Sequence, residues 1–225
     1  MEEKVFPENQ EEVILPSKLQ SKFQKFIQWL LVGIKFILGV FLLPFVYSST
    51  AVFLKQISTL ENSLKVGFLS GIAFFLIIYL FVWEPAIIYK KGQRFVQIIF
   101  GFFSPLVKVA PYLLPIYTIF LFLFYFLSFF IFNPRHILDT FMFLFGLSIS
   151  LHLVFSAKSL KSKSSDYLKA NYIFAFCFIW LVNIIILSFG FNLILKDYSF
   201  VNFFNQTFKI GVDIFSSIFK QLFYN

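Results

Sequence analysis

Five apolar segments, separated by shorter polar ones, make up most of the chain. A helix rises about 1.5 Å per residue, so about 20 mostly apolar residues are needed to cross the hydrocarbon core of a bilayer. The segments reach that length at residues 26–47, 66–89, 112–132, 137–157 and 170–195. The pattern predicts an all-α fold, a polytopic transmembrane helix bundle with about five spans.

Two regions depart from this pattern of straight spans. Between residues 90 and 109, a basic stretch leads into a short apolar one that Ser104-Pro105 interrupts, and Pro111 follows shortly after. This predicts a broken or re-entrant helix, a geometry that survives at membrane depth only where protein covers the backbone. Residues 48–65 are mixed and polar, and we expect a loop there, with or without an interfacial helix.

The C-terminal segment is amphipathic. From Tyr198 to Asn225, aromatic and aliphatic residues recur at helical spacing, and polar residues take the opposite face. The pattern predicts an amphipathic helix that lies on the membrane or on partner helices. Its polar face consists of Asn202, Asn205, Gln206, Lys209, Asp213, Ser216, Ser217 and Lys220.

These patterns divide the chain into three parts. Residues 1–25 are expected to form a cytoplasmic N-terminal tail, residues 26–195 the transmembrane domain, and residues 196–225 an interfacial amphipathic helix. Lys and Arg are more frequent in cytoplasmic loops, and twelve of them lie on the side of the N-terminus against six on the other. The bias predicts a cytoplasmic N-terminus, and an odd number of spans then places the C-terminal helix outside.

Composition supports the membrane assignment. Hydrophobic residues make up 59% of the chain and charged residues 13%, against about 25% charged in a soluble domain, so too few polar residues remain to cover the apolar surface in water. The net charge of +8 comes from basic residues that flank apolar segments, where they anchor helices. We therefore expect the lipid bilayer, and not nucleic acid, as the partner of this charge.

The most informative chemical pattern begins at Glu84-Pro85. Tyr89, Gly92 and Phe100-Gly101 follow at fixed spacing, with Gln93-Arg94-Phe95-Val96-Gln97 between them. Three further pieces appear downstream in a fixed order: Ala110-Pro111-Tyr112-Leu113-Leu114-Pro115-Ile116-Tyr117, then Gly146 with His152-Leu153-Val154-Phe155-Ser156, then Asp166. Over residues 64–190 this order and spacing resemble the membrane metallopeptidases of the site-2 protease type, in one bacterial branch.

The resemblance implies a retained fold with an altered metal site. The zinc motif of that family, His-Glu-x-x-His, aligns with Gln93 to Gln97, and its third ligand aligns with Asp166. Glutamine amides bind zinc poorly, and Arg94 at the place of the general base cannot accept a proton. We therefore expect no bound metal, no cofactor and no catalysis, with Gln93, Arg94, Gln97, His152 and Asp166 as a vestigial site.

Two of these residues carry expectations of their own. An arginine near membrane depth needs an anion, which predicts an Arg94–Asp166 or Arg94–Glu84 ion pair in place of the metal. The alternative is that Arg94 points to lipid headgroups. His152 lies within an apolar segment, where an interhelical hydrogen bond is the expected role.

The sequence favours a catalytically inactive, site 2 protease-like protein that serves as a binding or scaffold subunit of a membrane complex. Other membrane protein subunits would then be its partners. The alternatives are a transporter or channel component, which usually has more ionisable residues in its spans, and an active intramembrane peptidase. The resemblance to a bacterial branch implies the cytoplasmic (inner) membrane of a bacterium.

Overall fold

A computed structural model describes residues 17–82, 84–102, 104–128, 135–161 and 172–223. Over these ranges the chain is helical apart from short turns and contains no strand, which confirms the predicted all-α fold. The helices are α1 (Ser17–Ser58), α2 (Asn62–Ile77), α3 (Ala86–Ile99), α4 (Ser104–Leu113), α5 (Ile116–Ser128), α6 (Arg135–Lys161), α7 (Tyr172–Ile194) and α8 (Phe200–Phe223), with a π-helix over Ile78–Val82 that continues α2.

The described helices form a membrane bundle. Four of them are long and apolar enough to cross a bilayer, and α5 is a shorter apolar helix. The long ones are Gln24–Ser58, Asn62–Val82, Ile137–Leu160 and Tyr172–Ile194. The chain is an integral membrane protein. The N-terminal tail up to residue 16 and most of the charged loop before α7 lie outside the described residues.

Helix α1 is longer than the sequence indicated. It continues from Ser17 to Ser58, so the loop predicted from residue 48 was wrong up to that point. The hydroxyl groups of Ser48, Ser49 and Thr50 donate to carbonyl oxygens of the preceding turn, which satisfies them inside the helix. The indole of Trp180 on α7 donates to Thr50 Oγ1 at 2.9 Å. These contacts keep a polar stretch helical.

Prolines set two helix boundaries that apolar length alone misplaced. The second span ends at Val82, not at Tyr89, because Pro85 interrupts the chain and α3 begins after it. Likewise, Pro115 separates α4 from α5, so residues 112–113 belong to α4. Proline lacks an amide hydrogen and disfavours the helical conformation of the residue before it. The predicted broken region is confirmed as the short helices α3 and α4.

The relative directions of the helices follow from their side-chain contacts. Gly39 lies against Phe174 near the start of α7, and Phe53 stacks on Phe191 near its end, so α1 and α7 run in the same direction. In contrast, α5 runs opposite to α6, since Thr118 bonds Ser148 and aromatic rings farther along α5 meet Phe141 of α6. These directions are those of a chain that crosses a membrane back and forth.

Helices α2 and α6 approach each other to backbone contact. Gly67 and Gly71 on α2 form a Gly-x-x-x-Gly motif, and Gly146 on α6 faces them. A methyl group added at Gly71 would overlap the carbonyl oxygen of Phe143, and one added at Gly146 would overlap that of Phe68. Small residues let helix backbones meet in this way in membranes, where packing rather than water exclusion drives association.

A cluster of phenylalanine rings fills the space beside this contact. Phe191 on α7 is fully buried, and its ring meets those of Phe53, Phe68, Phe122 and Phe145 at centroid distances of 5.6–6.0 Å. The rings come from α1, α2, α5, α6 and α7. Aromatic pairs at such distances add to the stabilisation from burial, so this cluster joins the five helices.

The predicted C-terminal amphipathic helix is present as α8, and its apolar face lies against α1. Gln56 holds the residue before α8: its Nε2 donates to the Ser199 carbonyl at 3.2 Å, and its Oε1 accepts from the Ser199 amide at 3.1 Å. Farther along, Phe45 meets Phe208 and Phe215 at 6.3 and 5.9 Å. Helix α8 therefore runs antiparallel to α1.

The glycine contact between α2 and α6 predicts the effect of a large side chain. Gly71→Leu should lower the free energy of unfolding by about 3 kcal/mol or more, because the obstructing atoms belong to the backbone of α6 and cannot rotate away. The matched control is Gly33→Leu, since a side chain at Gly33 meets nothing within 4 Å. Thermal unfolding in mild detergent measures both; equal midpoints would contradict the predicted contact.

Candidate functional site

Helix α3 presents one face to the bundle and the other to the outside. Tyr89, Gly92 and Val96 are buried, at the spacing of one helix face. Gly92 is required there because a side chain would meet the ring of Tyr117 on α5. The Tyr117 hydroxyl donates to the Ile88 carbonyl at 2.6 Å. Together these contacts fix α3 against α5.

A chain of hydrogen bonds leads from α3 into the bundle. Gln93 Nε2 donates to the Tyr89 hydroxyl at 2.9 Å, and that hydroxyl lies 2.9 Å from Ser156 Oγ on α6. Burial raises the pKa of Tyr89 to about 12, so its hydroxyl keeps its proton. Ser156 Oγ is in turn 3.3 Å from His152 Nε2. The structure thus brings together two predicted site residues, Gln93 and His152.

The chain of hydrogen bonds ends on the last turn of α4. His152 Nε2 lies 3.1 Å from the Tyr112 carbonyl oxygen, and Ser156 Oγ lies 3.3 Å from it. A carbonyl oxygen only accepts, so Nε2 is assigned as the protonated nitrogen of His152. The last carbonyls of a helix have no partner within it. The expected interhelical hydrogen bond of His152 is therefore found, and it caps α4.

A residue of α7 completes this cap. Asn183 is buried, and its Nδ2 donates to the Leu113 carbonyl at 3.1 Å and to the Ile179 carbonyl at 2.8 Å. Because both acceptors are carbonyl oxygens, the orientation of the amide is fixed by its partners. Side chains of α6 and α7 together bond the carbonyl groups of Tyr112 and Leu113, the last two residues of α4.

The other predicted site residues lie elsewhere or outside the described part. Arg94 and Gln97 are exposed on the outer face of α3, away from the hydrogen-bonded chain. Glu84 forms an ion pair, but with Lys158 of α6 and not with Arg94. The predicted Arg94–Asp166 contact cannot be placed, since Asp166 falls in the range 162–171, which lies outside the described residues.

The described residues of this region do not fit a zinc ion. They contain no group of three or more His, Cys, Asp or Glu side chains that could hold a metal ion. The Gln93 amide already donates to Tyr89, and the one nitrogen of His152 that faces Ser156 is used for the cap of α4. The arrangement holds neutral donors and acceptors, which suit a structural role.

Sequence reasoning missed two contributions to this region. Ser156 and Tyr89 were noted only as parts of a motif, although Ser156 lies within a long apolar segment, where a polar side chain is a signal for a hydrogen-bond partner. Lys158 lies beyond the predicted fourth span, but α6 continues to Lys161, and Lys158 reaches Glu84 from this last part of the helix. This contact becomes apparent only when the structure places the Glu84-Pro85 turn beside the end of α6.

Comparisons of this chain with protein-family models, with curated proteins and with solved structures find no match.

The hydrogen bonds of Tyr89 predict a measurable loss of stability. Tyr89→Phe removes the hydroxyl that joins Gln93 to Ser156, so it should lower the free energy of unfolding by about 1–2 kcal/mol. Tyr47→Phe is the matched control, because Tyr47 is 66% exposed on α1. Thermal unfolding of both variants in one detergent gives the comparison. Equal stability would show that the chain of hydrogen bonds contributes nothing.

Proposed function

We propose that this chain is a catalytically inactive, site-2 protease-like membrane protein that acts as a binding or scaffold subunit of a membrane complex. The main support for this proposal is the role of Gln93, which aligns with a zinc ligand of the family. Its side chain begins a chain of hydrogen bonds that ends on the cap of α4. A side chain that aligns with a zinc ligand thereby serves as a hydrogen-bond donor to Tyr89.

The enclosure of the cluster supports the absence of catalysis. A serine beside a histidine is the arrangement of an activated nucleophile, and Ser156 lies 3.3 Å from His152. However, Ser156 has no exposed surface, and its hydroxyl group contacts both Tyr89 and the Tyr112 carbonyl. A substrate carbonyl would have to displace both before it reached the oxygen atom.

The length of α1 supports a binding role. This helix has 42 residues, or about 63 Å, which is about twice the thickness of a hydrocarbon core. Only 11% of the residues in its most apolar stretch are buried in the bundle, and Trp29 is 71% exposed. The first part of this helix, which its own bundle leaves exposed, suits contact with other membrane helices as well as with lipid.

The proposal includes the membrane in which the protein lies and the side of it that the N-terminus faces. The excess of Lys and Arg on the side of the N-terminus supports a cytoplasmic N-terminus. The cytoplasmic membrane of a bacterium is what the resemblance of residues 64–190 to the bacterial branch of the family implies.

Restoration of the zinc motif tests the peptidase-like origin. The triple variant Gln93→His, Arg94→Glu and Gln97→His recreates the family motif on α3. If Asp166 supplies the third ligand, the purified triple variant should bind about one zinc ion per chain, whereas the parent should not, because three protein ligands are typical of such sites. Elemental analysis after dialysis measures the metal.

The control for this experiment is the triple variant with Asp166→Ala added. It should lose the metal that the triple variant binds. A folded triple variant without zinc would contradict the peptidase-like alignment, and chelator-sensitive zinc in the parent would contradict the loss of the metal site.

Purification in gentle detergent tests the scaffold role. A binding subunit should co-purify with another membrane protein in a fixed molar ratio, which quantitative mass spectrometry of the purified material measures. The matched control is a chain of the same host with the same tag and a similar number of spans. Recovery of this chain without any partner in a fixed ratio would contradict the scaffold role.

A further inference from the structure

The surface of α8 has three sectors. One is buried on α1 and includes Phe203 and Gly211; a second is apolar and exposed, with Phe204 at 54% and Phe208 at 59%. The third is a polar stripe along the whole helix, and all its members except the half-buried Gln206 are exposed. Its residues are Asn202, Asn205, Gln206, Lys209, Asp213, Ser216, Ser217 and Lys220.

The contacts of α8 give its depth in the bundle. Phe203, Phe204, Thr207 and Phe208 share a crevice with Leu181 and Ile185, which lie near the middle of α7, and with Phe45 and Ser49 of α1. From that level, α8 continues toward the start of α7, because Phe215 meets Phe41 at 5.5 Å and Gly39 lies against Phe174. Helix α8 therefore runs over the depth of α7.

This geometry places two charges within the depth of a membrane-crossing helix. Phe208 lies at the level of the middle of α7. Along the axis of α8, Lys209 follows Phe208 by one residue, and Asp213 lies about 7.5 Å from it. Both distances are shorter than half the length of α7, which is about 17 Å. Within the described part of the chain, neither side chain forms an ion pair. Charges at such depth mark contacts with protein or water, because lipid tails cannot solvate them.

We propose that α8, which is more polar than the four long apolar helices, also crosses the membrane beside α1 and that its polar stripe is the contact with a second copy of this chain. The placement differs from the interfacial one that the sequence alone predicts. It also returns the end of α8 to the side on which α1 begins. The proposal does not depend on a peptidase-like origin, since no residue of α3 takes part.

The stripe is complementary to itself. In a pair with a twofold axis along the membrane normal, the two α8 helices are parallel, and each contact occurs twice. Lys209 of one copy and Asp213 of the other are then offset by about 6 Å along the axis, within the reach of a lysine side chain. Two reciprocal ion pairs form, and the small Ser216 allows close approach of the helices.

Disulfide cross-linking in membranes tests the contact. In a Cys177→Ser background, which removes the one native thiol, Ser216→Cys should give a covalent dimer under mild oxidation. Phe208→Cys, in the apolar sector of the same helix, is the matched control and should give at least about tenfold less dimer, or about 1.4 kcal/mol. Equal cross-linking at both positions would overturn the proposal.

Charge exchange separates a second copy from any other partner. In the Ser216→Cys chain, Lys209→Asp or Asp213→Lys alone places like charges opposite each other, so the dimer yield should fall at least about tenfold, or about 1.4 kcal/mol. The double variant should restore it. Co-expression of the two single variants with different tags should restore dimers that contain one of each.

Three results would overturn the proposal. They are single variants that cross-link as well as the parent, a double variant that is well folded by size-exclusion chromatography but stays monomeric, and a Ser216→Cys adduct with a different protein. The last result would leave the scaffold role intact, because a partner would still be bound. Failure of self-association and failure of the scaffold role are thus distinguishable.

Discussion

The backbone carbonyl groups at the end of a broken helix must find hydrogen-bond partners inside an apolar bundle. This requirement determines how the short helices of this protein attach to the long ones. Helix α4 ends at Leu113, and no water in a hydrocarbon environment would satisfy its last carbonyl groups. His152 and Ser156 reach them from α6, and Asn183 reaches them from α7. The buried polar side chains of two long helices thereby tie the short helices into the bundle.

Close packing of the other helices holds the residues of this cap in position. Gly71 and Gly146 bring α2 and α6 together at backbone distance, and the phenylalanine cluster around Phe191 connects that pair to α1, α5 and α7. In lipid, such contacts depend on shape, because an exposed apolar side chain is not at a disadvantage there. The chain has 38 phenylalanine residues, and their rings supply much of this shape.

Under the proposed function, the hydrogen-bonded chain from Gln93 to His152 lets the fold persist without a metal site. Gln93 extends a chain of hydrogen bonds through Tyr89 and Ser156, so the helix that resembles a zinc-binding helix is still fastened to α6. The ion pair of Glu84 with Lys158 fastens the turn that precedes it. Under the proposed function these contacts do the cross-linking that a metal would do in an active relative, and Arg94 on the outer face of α3 is left for other contacts.

The sequence by itself determined that this chain is an all-α membrane protein with a broken region after its second span and an amphipathic C-terminal helix. These features depend on local composition, apolar length and proline positions, which act within one segment. The family resemblance also grouped Gln93 and His152 in one predicted site, and the structure joins them through Tyr89 and Ser156. Only the tertiary structure decided where α1 ends, that Glu84 pairs with Lys158, and that α8 lies antiparallel along α1. Those features depend on contacts between segments far apart in the chain, because a serine, a charge or a polar face finds its partner only after the helices have packed.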